Sequence, residues 1–122
     1  MTVLYVDDDI EDMEIFKDAI HAVDPSIQLI PLSSAKDAIT YLNNGALLPD
    51  NIFLDINMPG MDGKACLEEI RRNKKFDHIK VYIYSTNTFP RDIDHIESLN
   101  ARFLKKANSF NELCDIIRSL GK

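Results

Sequence analysis

The chain has 122 residues, 45% hydrophobic and 28% charged, which is the size and composition of a single ordinary globular domain. Its formal net charge of −6 argues against a nucleic-acid or anionic-membrane surface, since both need clustered Lys and Arg. The absence of a CxxC or Cys/His cluster, of a signal-type run and of any stretch near the ~20 apolar residues of a membrane span excludes zinc motifs, secreted scaffolds and transmembrane folds, leaving the cytoplasm as the expected location.

Thr2–Val6 reads as a buried strand, and Ile10–Val23 as a helix with Met13, Phe16, Ile20 and Val23 on one face. Asp24-Pro25 breaks the pattern, Ile27–Leu32 is a second strand, and Ser34–Leu42 is a helix with Ala35, Ala38, Ile39 and Leu42 inward. Asn51–Leu54 is the third strand, followed by the loop Asn57–Gly63 and a helix over Lys64–Arg72 with Leu67 and Ile70 inward. Val81–Tyr84 is the fourth strand, and a helix opens near Pro90 and runs to about Ser98. Arg102–Leu104 is a short fifth strand, and Ser109–Leu120 a last helix with Phe110, Leu113, Ile117 and Leu120 inward. Cys66 and Cys114 fall on apolar helix faces and are expected to be buried free thiols.

This order is (βα)5 over residues 1–122, an α/β chain expected to form one domain with no output domain attached. Continuous apolar strands alternating with helices imply a doubly wound, five-stranded parallel sheet covered on both faces. In such sheets ligands bind at the carboxyl ends of the strands, near the switch in strand order.

Strand one ends in Asp7-Asp8-Asp9, strand three in Asp55 and strand four in Ser85-Thr86, while strand five runs into Lys105-Lys106. Carboxylates converging on one edge repel unless a cation joins them, and an oxygen-rich cluster suits Mg²⁺ better than zinc. A lysine adds a second positive charge, and a hydroxyl can donate to an incoming phosphate oxygen. Phosphoryl transfer needs this kit, because the protein chiefly positions the group and neutralises its oxygens. Asp55 is the best candidate nucleophile, since a tight Gly- and Pro-containing loop after it exposes it. Asp9 is expected to cap the first helix. His21, His78 and His95 form no pair and are expected at the surface.

The Val6-Asp7-Asp8 corner, the run Leu54-Asp55-Ile56-Asn57-Met58-Pro59-Gly60-Met61-Asp62-Gly63, Ser85-Thr86 and Phe103-Leu104-Lys105-Lys106 resemble the response-regulator receiver domains of two-component signalling. The similarity covers essentially the whole chain, with the motifs in the right order. It implies a flavodoxin-like, CheY-like topology and a phosphoryl group received from a sensor histidine kinase or phosphotransfer protein, with Mg²⁺ as cofactor. Carried over residue by residue, the resemblance makes Asp55 the phosphoacceptor and Asp8 a direct Mg²⁺ ligand. Asp7 would act mostly through a metal-bound water, and Asn57 through its backbone carbonyl. Ser85 matches the hydroxyl that swings toward the phosphate, Lys106 the lysine that pairs with the acyl phosphate, and Phe103 the aromatic that changes rotamer with it. Lys106 is preferred to Lys105 by its spacing from Phe103. Output would pass to a partner protein through the face of helix four, strand five and helix five, with no nucleic acid or membrane involved. Ala107, Thr86 and Phe103 depart from the proline, small residue and tyrosine commoner at those positions.

The rival enzyme reading is a phosphatase of the haloacid-dehalogenase type, with Asp7-x-Asp9 as its nucleophile motif. Glu11 stands where that motif has a small residue, and the stretch after Lys106 leaves no room for a further strand with an acidic pair. A hydrolase built on Ser85 fails for want of a G-x-S-x-G elbow. The expectation is therefore a switch rather than an enzyme, with only self-directed phosphotransfer and dephosphorylation.

Overall fold

The computed structural model describes residues 1–45 and 47–120. Five strands, β1 (Thr2–Val6), β2 (Gln28–Leu32), β3 (Asn51–Leu54), β4 (Lys80–Ser85) and β5 (Ala101–Lys105), pair in parallel in the order β2-β1-β3-β4-β5. Between and after them lie α1 (Ile10–Val23), α2 (Ala35–Asn44), α3 (Gly63–Arg72), α4 (Pro90–Ser98) and α5 (Phe110–Ser119). The order switches where β1 sits between β2 and β3, so the chain leaves β1 on one side and β3 on the other.

Alternation along the strands splits the core in two. Leu4, Val6, Ile52, Leu54, Val81 and Ile83 face a cluster shared with Ala38, Leu42, Leu67, Ile70 and Ile96 of α2, α3 and α4. Val3, Tyr5, Phe53 and Tyr84 face the opposite cluster, shared with Phe16 and Ile20 of α1 and Leu113 and Ile117 of α5. Both faces of β1 and β3 are covered, which is why their sequences run apolar without a break. β2 is an edge strand with Gln28 and Pro31 exposed, and an edge tolerates a proline that cannot donate to a ladder.

Short polar side chains start four of the helices. Asp9 accepts from the Glu11 and Asp12 amides, Ser34 from Asp37, Asp62 from Ala65 and Ser109 from Glu112. α4 has Pro90 in its first turn instead, and no side-chain cap. Cys66 and Cys114 are buried free thiols, and His21, His78 and His95 are exposed.

Several expected boundaries shift. Ile27 is buried but precedes β2, its amide donating to the Asp24 carbonyl in a turn at 3.1 Å. Ser34 and Ser109 are caps rather than helical residues, and Gly63 is already helical. β4 and β5 each extend beyond the apolar run, because pairing continues as far as Ser85 and Lys105. A single 3-10 turn over Lys74–Phe76 was not anticipated. Phe110 is a correction: it is 44% exposed rather than inward, because it sits in the first turn of α5, beyond the edge of the core.

Candidate functional site

Backbone hydrogen bonds continue past the strand ends and set the site. The Asp7 amide donates to the Leu32 carbonyl at 3.1 Å, the Asp55 amide to Val6 at 3.0 Å and the Lys106 amide to Ser85 at 2.8 Å. Each bond aligns a residue just beyond one strand with its neighbour, so Asp7, Asp55, Ser85 and Lys106 gather at one edge. Asp7, Asp8 and Asp55 offer carboxylate oxygens that all lie within 4.8 Å of one another. Asp7 and Asp55 are buried and Asp8 is exposed, leaving the cluster open on one side.

Lys106 bridges the acids. Its Nζ lies 2.8 Å from Asp7 Oδ2, 2.6 Å from Asp12 Oδ2 and 3.4 Å from Asp55 Oδ2. Desolvation pulls the ammonium's pKa down, but hydrogen bonds to Asp12 and Asp7 and the charge of Asp55 outweigh it and hold the group charged. Lys105, one residue earlier, is exposed on the strand and forms no ion pair among the described residues. Asp7 is held at both oxygens: Oδ1 accepts from the Asp9 amide at 2.9 Å, and Oδ2 accepts from the Tyr5 hydroxyl at 2.6 Å as well as from Lys106. Burial and the bond to Asp7 push the Tyr5 hydroxyl far up, so it stays protonated and acts as a donor. The phosphatase reading would make the nucleophile Asp7, both of whose oxygens already accept hydrogen bonds from protein donors.

Asp55 is less encumbered. Burial raises its pKa, Lys106 opposes the rise, and Asp7 adds to it. The Ser85 hydroxyl is buried, close enough to bear on the Asp55 carboxyl, yet without a hydrogen-bond partner of its own among the described residues. An orphaned buried donor beside a carboxylate and an ammonium is what an arriving anionic group would satisfy. Thr86, next along, is exposed, as is Asn57. Phe103 is half-buried in the core on the α4 side of β5, and the Lys106–Ala107 peptide is trans.

The loop after Asp55 is built around two glycines. Gly60 has a φ of 77°, a conformation side chains resist. At Gly63, a Cβ would collide with the Asp55 carbonyl oxygen, so only glycine lets α3 start against the backbone of the candidate acceptor. The Met58 and Gly63 amides both donate to the Ile56 carbonyl at 3.1 Å, folding the loop back on itself, while Met58 anchors it by burial.

Asp12, Tyr5 and Gly63 are contacts that the sequence reading missed. Asp12 was discoverable: it lies on the α1 stripe occupied by Phe16 and Ile20, where a charged residue needs an inward partner. Tyr5 shares a strand side with Asp7, two residues on. Hard oxygen donors from three carboxylates fit a Mg²⁺-like cation, which takes carboxylates and keeps several waters. No helix among the described residues is long and apolar enough to cross a membrane.

Comparison with known proteins agrees with this fold. The family model described as the response regulator receiver domain matches residues 3–118. A sensor histidine kinase, CheAY of Helicobacter pylori, is 26% identical over 117 residues, a match covering 95% of this chain and 14% of that protein. The chain thus spans a small part of this curated relative's length. The crystal structure of the phosphorylated cyanobacterial phytochrome response regulator RcpA aligns with a TM-score of 0.87 at 25% identity, covering 98% of this chain and 89% of that one. The Mn²⁺-bound response regulator Rcp1 aligns with a TM-score of 0.85 at 23% identity, over 98% of this chain and 90% of that one.

Proposed function

The chain belongs to the response-regulator receiver domain family, and on that premise we propose that it accepts a phosphoryl group on Asp55 and signals by a change of conformation. The observation that carries this reading is the meeting of the Asp55 carboxylate, the Lys106 ammonium and the unpartnered Ser85 hydroxyl at one sheet edge. An Asp55 oxygen attacks the phosphorus of a phosphohistidine on a sensor histidine kinase or phosphotransfer protein. The P–N bond breaks, its electron pair stays with the imidazole, and the acid gains a P–O bond as an acyl phosphate. Lys106 is placed to neutralise charge on the transferred oxygens, and Ser85 to donate to one of them.

Asp7, Asp8 and Asp55 would hold Mg²⁺, with Asn57 contributing its carbonyl, and structural kinship with a Mn²⁺-bound regulator supports a divalent site. When bound, that cation supplies charge neutralisation for the acids and the phosphoryl oxygens together. The chain acts as a phosphorylated switch with no turnover on a separate substrate. Phosphate on Asp55 favours one of two arrangements by drawing Ser85 and Lys106 inward. Phe103 and the α4–β5–α5 face carry the change to a partner protein. The buried free thiols Cys66 and Cys114 suit a reducing, cytoplasmic setting.

Mass spectrometry after incubation with acetyl phosphate and Mg²⁺ tests the reading. One phosphoryl adduct is expected, cleaved by hydroxylamine, absent with EDTA and absent from Asp55→Asn. An adduct that persists in Asp55→Asn and maps to Asp7 would replace this function with the phosphatase-type reading.

A further inference from the structure

We propose that Asp12 is a positioning residue that draws the Lys106 ammonium toward α1, off Asp55 and partly off Asp7, and so lessens its competition with a cation for those carboxylates. The proposal rests on the function proposed above and concerns regulation of that same site. Lys106 has three N–H donors and three carboxylates within reach, and the distances rank them. Asp12 is nearest at 2.6 Å, Asp7 follows at 2.8 Å, and Asp55 is last at 3.4 Å. Two of these acids, Asp7 and Asp55, belong to the candidate cation cluster with Asp8, whereas Asp12 does not. An ammonium resting on Asp7 and Asp55 occupies the oxygens a divalent cation needs and repels that cation by its charge. Every share of Lys106 drawn to Asp12 is withdrawn from that competition.

The surroundings make the side chain, not the backbone, the adjustable part. The Lys106 amide is tied to the Ser85 carbonyl at 2.8 Å, and the Ala107 amide to the Tyr84 hydroxyl at 3.1 Å. Asp12 is equally fixed at its backbone, in the first turn of α1, with its amide on the Asp9 side chain at 3.2 Å. The Asp7 carboxylate is immobilised by Tyr5 and the Asp9 amide. What can redistribute is the Lys106 Nζ among its three acceptors, with Asp12 pulling from the α1 side and Asp55 from the site. A phosphoryl group on Asp55 would win the ammonium from Asp12 without any backbone movement.

The test is Mg²⁺ titration by isothermal calorimetry on four chains: unsubstituted, Asp12→Asn, Lys106→Met and the double variant. Lys106→Gln serves as the background if Lys106→Met does not fold. Asp12→Asn is expected to weaken Mg²⁺ binding about fivefold, the scale of a partly exposed ion pair. Asp12→Glu, which keeps the charge, should restore most of the affinity. In the background lacking Lys106, the same Asp12→Asn change should leave affinity almost unaltered, because there is no ammonium to misplace. An equal loss in both backgrounds would overturn the proposal, reducing Asp12 to a distant negative charge. Unchanged binding in single Asp12→Asn would overturn it too, leaving the proposed function standing. Failure of the unsubstituted chain to bind Mg²⁺ at all would remove the proposed cation site and this role together.

Discussion

At Asp55 the raised pKa follows from burial first, moderated by Lys106 and reinforced by Asp7. The native chain therefore binds this proton more tightly than the unfolded chain does. The resulting stabilisation is complete below the unfolded Asp value of about 3.9 and is lost as pH rises through the raised native value. At neutral pH without metal, the ionised carboxyl is a cost to folding. Asp55→Asn removes that titration, so its Tm in EDTA should exceed that of the unsubstituted chain by about 2–5 °C at pH 7. The gain should shrink to nothing as pH falls below 4 or so. Thermal unfolding by circular dichroism over this range measures it, and a lower Tm for Asp55→Asn at pH 7 would contradict the sign. The candidate acceptor was legible from its position at a strand end before a glycine-bearing loop. The sign of its electrostatic balance was not, because it depends on residues as distant in sequence as Lys106.

α4 is held unequally at its two ends. Its C-terminal end is clamped by Arg71 of α3, whose guanidinium donates to Leu99, Phe76 and Ile79 carbonyls at 2.9 Å and to Asn100 at 3.1 Å. Ile96 is its one buried residue, also toward that end. At the N-terminal end Phe89 is 65% exposed, and the main tie is a Lys64–Asp92 ion pair at 3.3 Å. Arg71→Met leaves four carbonyls to find other partners and should cost about 2–3 kcal/mol in urea unfolding. Lys64→Ala should cost under ~1 kcal/mol. Hydrogen exchange in Arg71→Met should quicken at Leu99–Ala101 before it does at β4, and uniform quickening would argue against a local clamp. The helix was readable from Pro90 in its first turn. The role of Arg71 had no signal in the sequence, since the carbonyls it meets lie outside α3.

The two cores on opposite faces of the sheet differ in character. The α1–α5 side is an aromatic cluster in which Phe53 stands 5.1 Å from Phe16, 4.9 Å from Tyr82 and 5.7 Å from Tyr84 by ring centroids. Phe53 is wholly buried on the central strand β3, immediately before the residues that lead to the site. Phe53→Ala should cost about 3–5 kcal/mol, a large part of a domain's usual 5–15 kcal/mol. Urea unfolding measures the loss, and a cost below ~1 kcal/mol would mean that the cluster collapses to fill the gap. Such a core holds Tyr5 rigid, and Tyr5 in turn holds Asp7, so packing and site share one support.

The (βα)5 order, the inward stripes apart from Phe110, and the strand-end placement of Asp7, Asp55, Ser85 and Lys106 were determined by the sequence alone. Periodicity and local breakers are short-range signals, and a parallel sheet brings every strand end to a common edge by construction. Tertiary structure alone decided that Lys106 is shared with Asp12, that Tyr5 fastens Asp7, that Gly63 must lack a side chain and that Phe110 lies exposed. Each of these depends on the separation of two surfaces brought together by the fold, and a linear spacing carries no measure of that separation.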